Sequence, residues 1–97
     1  MKVVLSQESI DCLVKILSYY QRKGHGKYGR KIRARILNRI RRLKDFPMMG
    51  QMEEHFKETG LGYRYLVEEN YKIIYLIYHD YVLITDVFDT RQDPEKM

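Results

Sequence analysis

Apolar residues recur along this chain with two different periods, one in each half. In the N-terminal half Ile10, Leu13, Val14, Leu17 and Tyr20 return at three- and four-residue intervals, which predicts an amphipathic helix over about 7–22. Ser6 is placed to cap that helix, and Glu8 sits favourably in its first turn. The β-branched stretch Lys2 to Leu5 before it predicts a short strand. A second helical stripe, Ile32, Ile36, Ile40 and Leu43, predicts a helix over about 29–44, and Gly24, Gly26 and Gly29 in KGHGKYG mark the break between the two. So close a connection favours an antiparallel αα-hairpin.

Asp45-Phe46-Pro47 stops the second helix, because proline lacks the backbone donor and restrains Phe46 as well. From Met48 to Gly62 the pattern is less decided: Met49, Met52 and Phe56 suit either a short helical turn or an irregular crossing over a sheet. Strands then follow at Tyr63 to Glu68, Tyr71 to Tyr78 and Tyr81 to Phe88, separated by Glu69-Asn70 and His79-Asp80, each short enough for a tight hairpin. Tyr71, Ile73, Tyr75 and Ile77 line one face of the middle strand, and Lys72, Ile74, Leu76 and Tyr78 the other. Both faces are largely apolar, so the helices should cover one and something should partly cover the other. The predicted class is α+β in the order β-α-α-β-β-β, an N-terminal strand and αα-hairpin on a predominantly antiparallel sheet. The tail Thr90 to Met97, with Pro94, should leave the sheet as a loop or short helical turn.

Length limits this to one domain over residues 1–97, with a modest core. Charge changes the picture more. Residues 1–44 carry 13 basic and 2 acidic side chains (net +11), whereas residues 45–97 carry 5 basic and 11 acidic (net −6). The total of +5 therefore hides two electrostatic halves, and such a field attracts phosphates or steers an acidic protein equally well. Within RKIRARILNRIRRLK, residues 30–44, the cations Arg33, Arg35, Arg39, Arg41, Arg42 and Lys44 cannot all face one way and should flank the buried stripe. No aromatic side chain interleaves them, which argues against a stacking platform for single-stranded RNA.

Cys12, alone and on an apolar helical face, fits core packing and a reducing compartment. The start MKVVLSQESI turns polar too soon for a signal peptide, and no apolar run reaches membrane-spanning length, so cytoplasmic residence without a membrane partner is expected. His25, His55 and His79 lie in different segments and show no metal-ligand spacing, and KGHGKYG lacks the Lys-Ser/Thr ending of a phosphate loop. Neither a metal nor another cofactor is expected.

With those elements in place, the chain resembles the RelE/ParE family of bacterial toxins from toxin-antitoxin operons, also known as plasmid-stabilisation proteins. The likeness begins with KVVLSQESIDCLVKI, continues through RIRRLKDFPMMG, and is strongest in GYRYLVEENYKIIYLIYHDYVLITDVFDTRQDP. That last stretch is similar to the family's Gly-x-Arg-x-Leu, its hairpin into Tyr-Arg/Lys-Ile-x-Tyr, and an apolar strand closing on an arginine. The resemblance implies one of two activities: ribosome-dependent cleavage of messenger RNA in RelE-like members, or inhibition of DNA gyrase in ParE-like ones. On the ribonuclease pattern Lys72 falls where an arginine contacts substrate, and Arg91 where a late arginine does. The aromatic expected near the C-terminus is Met97 here, and lysines of cleaving members are matched by Tyr63 and Tyr65.

Cleavage by 2'-hydroxyl attack needs a proton acceptor as well as charge at phosphorus. Arg64, Lys72 and Arg91 supply charge but are poor proton-exchange groups at neutral pH. Tyr78 or Tyr81 could assist near the phosphate only with a perturbed pKa, and His79 falls in a turn. The catalytic candidates are thus Lys72, Arg91, Tyr78 and Tyr81, and whether they act chemically is left open. Candidate partner contacts are Arg33, Arg41, Arg64, Tyr63 and Tyr65. For Arg64 and Arg91 a bracing role is the alternative, with Asp89 and Asp93 as internal partners for Arg91. The reading favoured is a ParE-like growth inhibitor acting on DNA gyrase and neutralised by a cognate antitoxin, in a complex that can be of higher order. The alternatives are a RelE-like endonuclease, with ribosome and mRNA as partners, and a non-toxic binding module on the same scaffold.

Overall fold

The computed structural model describes residues 1–53 and 60–91. The expectations for His55, Phe56, Asp93, Pro94 and Met97 lie outside the described residues. The element order is β1 (Lys2–Leu5), α1 (Gln7–Arg22), α2 (Gly26–Arg42), a 3-10 turn (Pro47–Met49), β2 (Gln51–Met52), β3 (Arg64–Glu68), β4 (Tyr71–Ile77) and β5 (Tyr81–Asp89). The strands form one mixed sheet in the order β1-β5-β4-β3-β2, with β1 parallel to β5 and the other pairs antiparallel. The α+β class and the order β-α-α-β-β-β hold, and the two-residue β2 is an addition to them.

Ser6 caps α1 as its position suggests: its hydroxyl accepts from the Ser9 backbone N–H at 3.1 Å. The second helix starts earlier than its glycines imply. Only Gly24 needs a left-handed backbone (φ +77°), so the break is confined to Lys23–His25. Gly29 lies inside α2 for a different reason: a Cβ there would meet the Tyr20 Cβ at 2.7 Å. It is a contact glycine that lets the helices approach, and a turn is not its purpose. Arg39, Arg41 and Arg42 then fall in the last turn of α2, where cations complement the helix dipole.

The core gathers Leu13, Ile32, Ile36, Ile40 and Leu43 from the helical side against Leu66, Tyr71, Ile73, Tyr75, Val82, Ile84 and Val87 of the sheet. A bulge makes the β5 part possible. Ile74 pairs with Asp86 but Tyr75 with Ile84, leaving Thr85 as the extra residue. This resets the alternation, so that Val82 and Ile84 before the bulge and Val87 after it all reach the core. Without the reset, strict alternation from Ile84 would bring Asp86 to that face.

The second face of β4 departs from expectation. It is closed along Lys72, Ile74 and Leu76, with relative exposures of 8%, 1% and 5%, and opens only at Tyr78, which is 42% exposed. Tyr65 of β3, which pairs with Ile74 and shares its face of the sheet, lays its ring 4.3 Å from the Lys72 ammonium and closes that end.

Candidate functional site

Among the described residues the sheet half, residues 45–97, has three cations, Arg64, Lys72 and Arg91, and each has a partner within the protein. Lys72, near the start of β4, forms an ion pair with Glu53, which is 4% exposed. Taking two charges out of water demands such a pairing, because either alone carries a large desolvation cost. Arg64, at the start of β3, donates to the Gly50 carbonyl at 2.8 Å. That carbonyl belongs to a tight corner: the buried Tyr75 hydroxyl donates to the Pro47 carbonyl and accepts from the Gly50 N–H, both at 2.8 Å. A Cβ on Gly50 would lie 2.5 Å from that hydroxyl, so glycine is required there by space. Burial raises the Tyr75 pKa, with the Gly50 N–H and Arg64 acting in the opposite direction.

Arg91 follows β5 and turns back on Asp89, its guanidinium 3.3 Å from the carboxylate and its backbone N–H 2.8 Å from the same group. Burial pushes the Asp89 pKa up, but hydrogen bonds from the Arg91 side chain and backbone and from Asn70 outweigh it and hold the carboxyl below the usual aspartate range. Next to this pair, Tyr71 and Tyr20 share a hydrogen bond of 3.0 Å between their hydroxyls. Burial, followed by that hydrogen bond, pushes the Tyr71 phenol far above its ordinary value. It is consequently a poor base at neutral pH. On the far side of the same turn, Glu69, in a left-handed conformation (φ 56°), is clamped by Arg35 of α2.

The catalytic candidates are not all brought together. Lys72 pairs with Phe88 across the sheet and Arg91 follows three residues later, so these two occupy the open end of the β4–β5 hairpin. Tyr78 and Tyr81 occupy its turn, stacked on each other with centroids 4.8 Å apart. Six residues along one strand put roughly 20 Å between Lys72 and Tyr78, so the tyrosines cannot serve a phosphate held at the other end. His79 is exposed in the turn between them. Among the described residues, no group of three or more His, Cys, Asp or Glu side chains could hold a metal ion.

The partner-contact candidates are likewise dispersed. Tyr65 donates to Gln51 at 3.0 Å, and Tyr63 is half-buried. Arg33 is half-buried on one flank of α2, whereas Arg41 is exposed and borders both an apolar groove (Val3, Leu5, Leu37, Ile40) and a depression with Asn38, Arg42 and Asp45. Sequence reasoning anticipated the Arg91–Asp89 pair, since the two stand two positions apart. It missed Glu53 as the partner of Lys72 and the Tyr20–Tyr71 pair, for which no local pattern exists.

The sequence profile of the family described as "ParE toxin of type II toxin-antitoxin system, parDE" matches residues 3–94. A solved structure titled "Chromosomal ParDE TA system from P. aeruginosa" superposes with a TM-score of 0.76 at 14% identity, covering 92% of this chain and 95% of that one. That likeness speaks for the fold alone. No curated protein matches the chain in sequence. Because the profile runs over nearly the whole length, from β1 to beyond β5, the chain belongs to the ParE toxin family of type II toxin-antitoxin systems.

Proposed function

We propose that this chain arrests growth by inhibiting DNA gyrase in the cytoplasm, and that a cognate antitoxin encoded beside it keeps it inactive. The observation that favours this over messenger-RNA cleavage is the burial of Lys72 against Glu53. A lysine that must neutralise charge on a phosphate has to reach it, and this one is committed to a carboxylate under the Tyr65 ring. Arg91 is paired with Asp89 but keeps 68% of its side chain exposed, so the weight rests on Lys72, and the candidate proton carriers Tyr78 and Tyr81 sit at the other end of the hairpin. Inhibition by binding needs none of these to act chemically. The antitoxin suited to such a toxin presents apolar side chains to the groove of Val3, Leu5, Leu37 and Ile40, and a disordered segment that orders on binding covers much of so small a surface.

Tightly controlled expression without the antitoxin, followed by parallel assays of supercoiling and of translated messenger RNA, tests the reading. Growth arrest, loss of supercoiling by purified gyrase and intact messenger RNA are the expected results. Discrete cuts in translated messages with normal supercoiling would instead establish the endonuclease. Normal growth would leave a non-toxic binding module.

A further inference from the structure

From Cys12 through Lys44 the chain contains no acidic residue, and α2 carries most of the cations in that stretch. At about 100° per residue, Gly29, Ile32, Ile36, Ile40 and Leu43 form the buried stripe, and Lys27, Arg30, Lys31, Arg41 and Arg42 all fall within roughly 60° of the opposite pole. All five are exposed. Their neighbours on the flanks differ: Arg35 is paired with Glu69, and Arg39 reaches the Val67 carbonyl at 3.4 Å. Among the described residues no ion pair to an acidic side chain joins any of the five, and Asp45 borders the depression of Arg41 and Arg42.

These five cations form two groups. Lys27 and Lys31 border a depression of about 460 Å³ with Gly24, His25 and Tyr28 at the start of α2, with Arg30 beside them. Arg41 and Arg42 border one of about 470 Å³ at its end. Lys27 and Arg41 are 14 positions apart, about 21 Å along the axis. Between the groups the outward pole holds only Ala34 and Asn38, both small and uncharged.

We propose that the outward face of α2 docks on the sugar-phosphate backbone of duplex DNA. A protein partner would be expected to bury an aromatic or apolar anchor at the centre of its contact, and the centre of this face offers none. Single strands need stacking surfaces, and the one aromatic of α2, Tyr28, stands on its flank with its ring edge-on to Tyr20 and its hydroxyl toward Glu69. Phosphates need only long, mobile cations; the inner members of the two groups, Lys31 and Arg41, are ten positions or about 15 Å apart, so with a few ångströms of side-chain reach they can rest on phosphates either side of one major groove, roughly 12 Å wide, with the small residues spanning it. This binding goes beyond the gyrase reading and does not depend on it. It would place the toxin on the same nucleic acid that a supercoiling enzyme handles.

The test is binding of the purified full chain to a labelled 20-base-pair duplex, with no gyrase present, across a salt series. If all five cations meet phosphates, the logarithm of affinity falls with that of salt at a slope of about −4.5. Lys31→Gln and Arg41→Gln should each weaken binding severalfold and reduce the slope by about one, with unchanged thermal melting. Lys15→Gln, on α1, carries the same net charge and should change neither. Three results would overturn the proposal: no duplex binding at low salt, an equal loss with Lys15→Gln, or binding as tight to an acidic peptide or single-stranded RNA of similar length. A failure here leaves the supercoiling assay untouched, and a failure of that assay leaves this one untouched.

Discussion

The cations of the sheet and those of α2 have opposite fates. Arg64, Lys72 and Arg91 are each engaged internally, by the Gly50 carbonyl, Glu53 and Asp89. Lys27, Arg30, Lys31, Arg41 and Arg42 stand on the outward side of a helix from a stretch without a single acid. The difference follows from geometry. Both faces of β4 are covered, so the buried Lys72 must be paired, and Arg91, though largely exposed, has a carboxylate two positions away, whereas a helix on the surface keeps one side in water. Counting basic residues therefore says little about where a polyanion binds. What matters is which of them the fold has already used.

The sharpest way to break this comparison is at Lys72. Glu53→Ala takes the carboxylate from beside a buried ammonium and should destabilise the protein by about 3 kcal/mol, read from denaturant melts. Replacing both partners by methionine should recover most of that loss, since an apolar pair of similar volume carries no desolvation cost. If Glu53→Ala were neutral, Lys72 would be available to a ligand and the endonuclease reading would regain its strongest residue.

Gly50→Ala comes next, at about 2 kcal/mol. The added Cβ meets the Tyr75 hydroxyl at 2.5 Å and the Tyr65 carbonyl at 2.6 Å, so the corner that receives Arg64 must shift. A crystal structure or the amide chemical shifts of residues 47–52 would show the displacement. Gly24→Ala offers the contrast, since nothing lies within 4 Å of a Cβ there and the effect comes only from its left-handed backbone.

A smaller effect is expected on the acid side of the stability profile. The folded Asp89 carboxyl lies below its ordinary range, so the stability it contributes is complete above the unfolded value of about 3.9. It is lost as pH falls toward the folded value. Arg91→Ala removes the main group holding that carboxyl down, and should move the acid limb of the melting temperature to higher pH. Melting between pH 2.5 and 7 measures it. Coincident profiles for the two proteins would mean that the pair is ornamental and Arg91 free for another role.

How much of this was legible beforehand varies by element. Helix α1 could be read to the residue because Ser6 and the stripe that follows agree. Helix α2 could not, because Gly26 and Gly29 look like punctuation; only packing against Tyr20 explains Gly29. The bulge at Thr85 leaves its trace in the apolar pattern of VLITDVF, where Ile84 and Val87 are out of phase for one strand face. Glu53 could not be found, since 19 positions separate it from Lys72 and a two-residue strand carries it into place. The distance between Tyr78 and Lys72, by contrast, follows from strand arithmetic alone. Residues that share a motif's chemistry do not thereby share a site.

The smallest expected effect closes the comparison from the other side. Lys31→Gln and Arg41→Gln should each alter stability by no more than about 0.5 kcal/mol, because Lys31 is exposed with no hydrogen bond or ion pair among the described residues and Arg41 gives up a 3.2 Å contact with Asn38. Arg35→Gln should cost more than either, since it releases Glu69 from the β3–β4 turn, where that residue holds a left-handed backbone. Chemical denaturation of the three variants side by side ranks them. Should Lys31→Gln or Arg41→Gln prove as damaging as Arg35→Gln, the outward face of α2 would be part of the scaffold, and loss of DNA binding in those variants would no longer report on contact with phosphates.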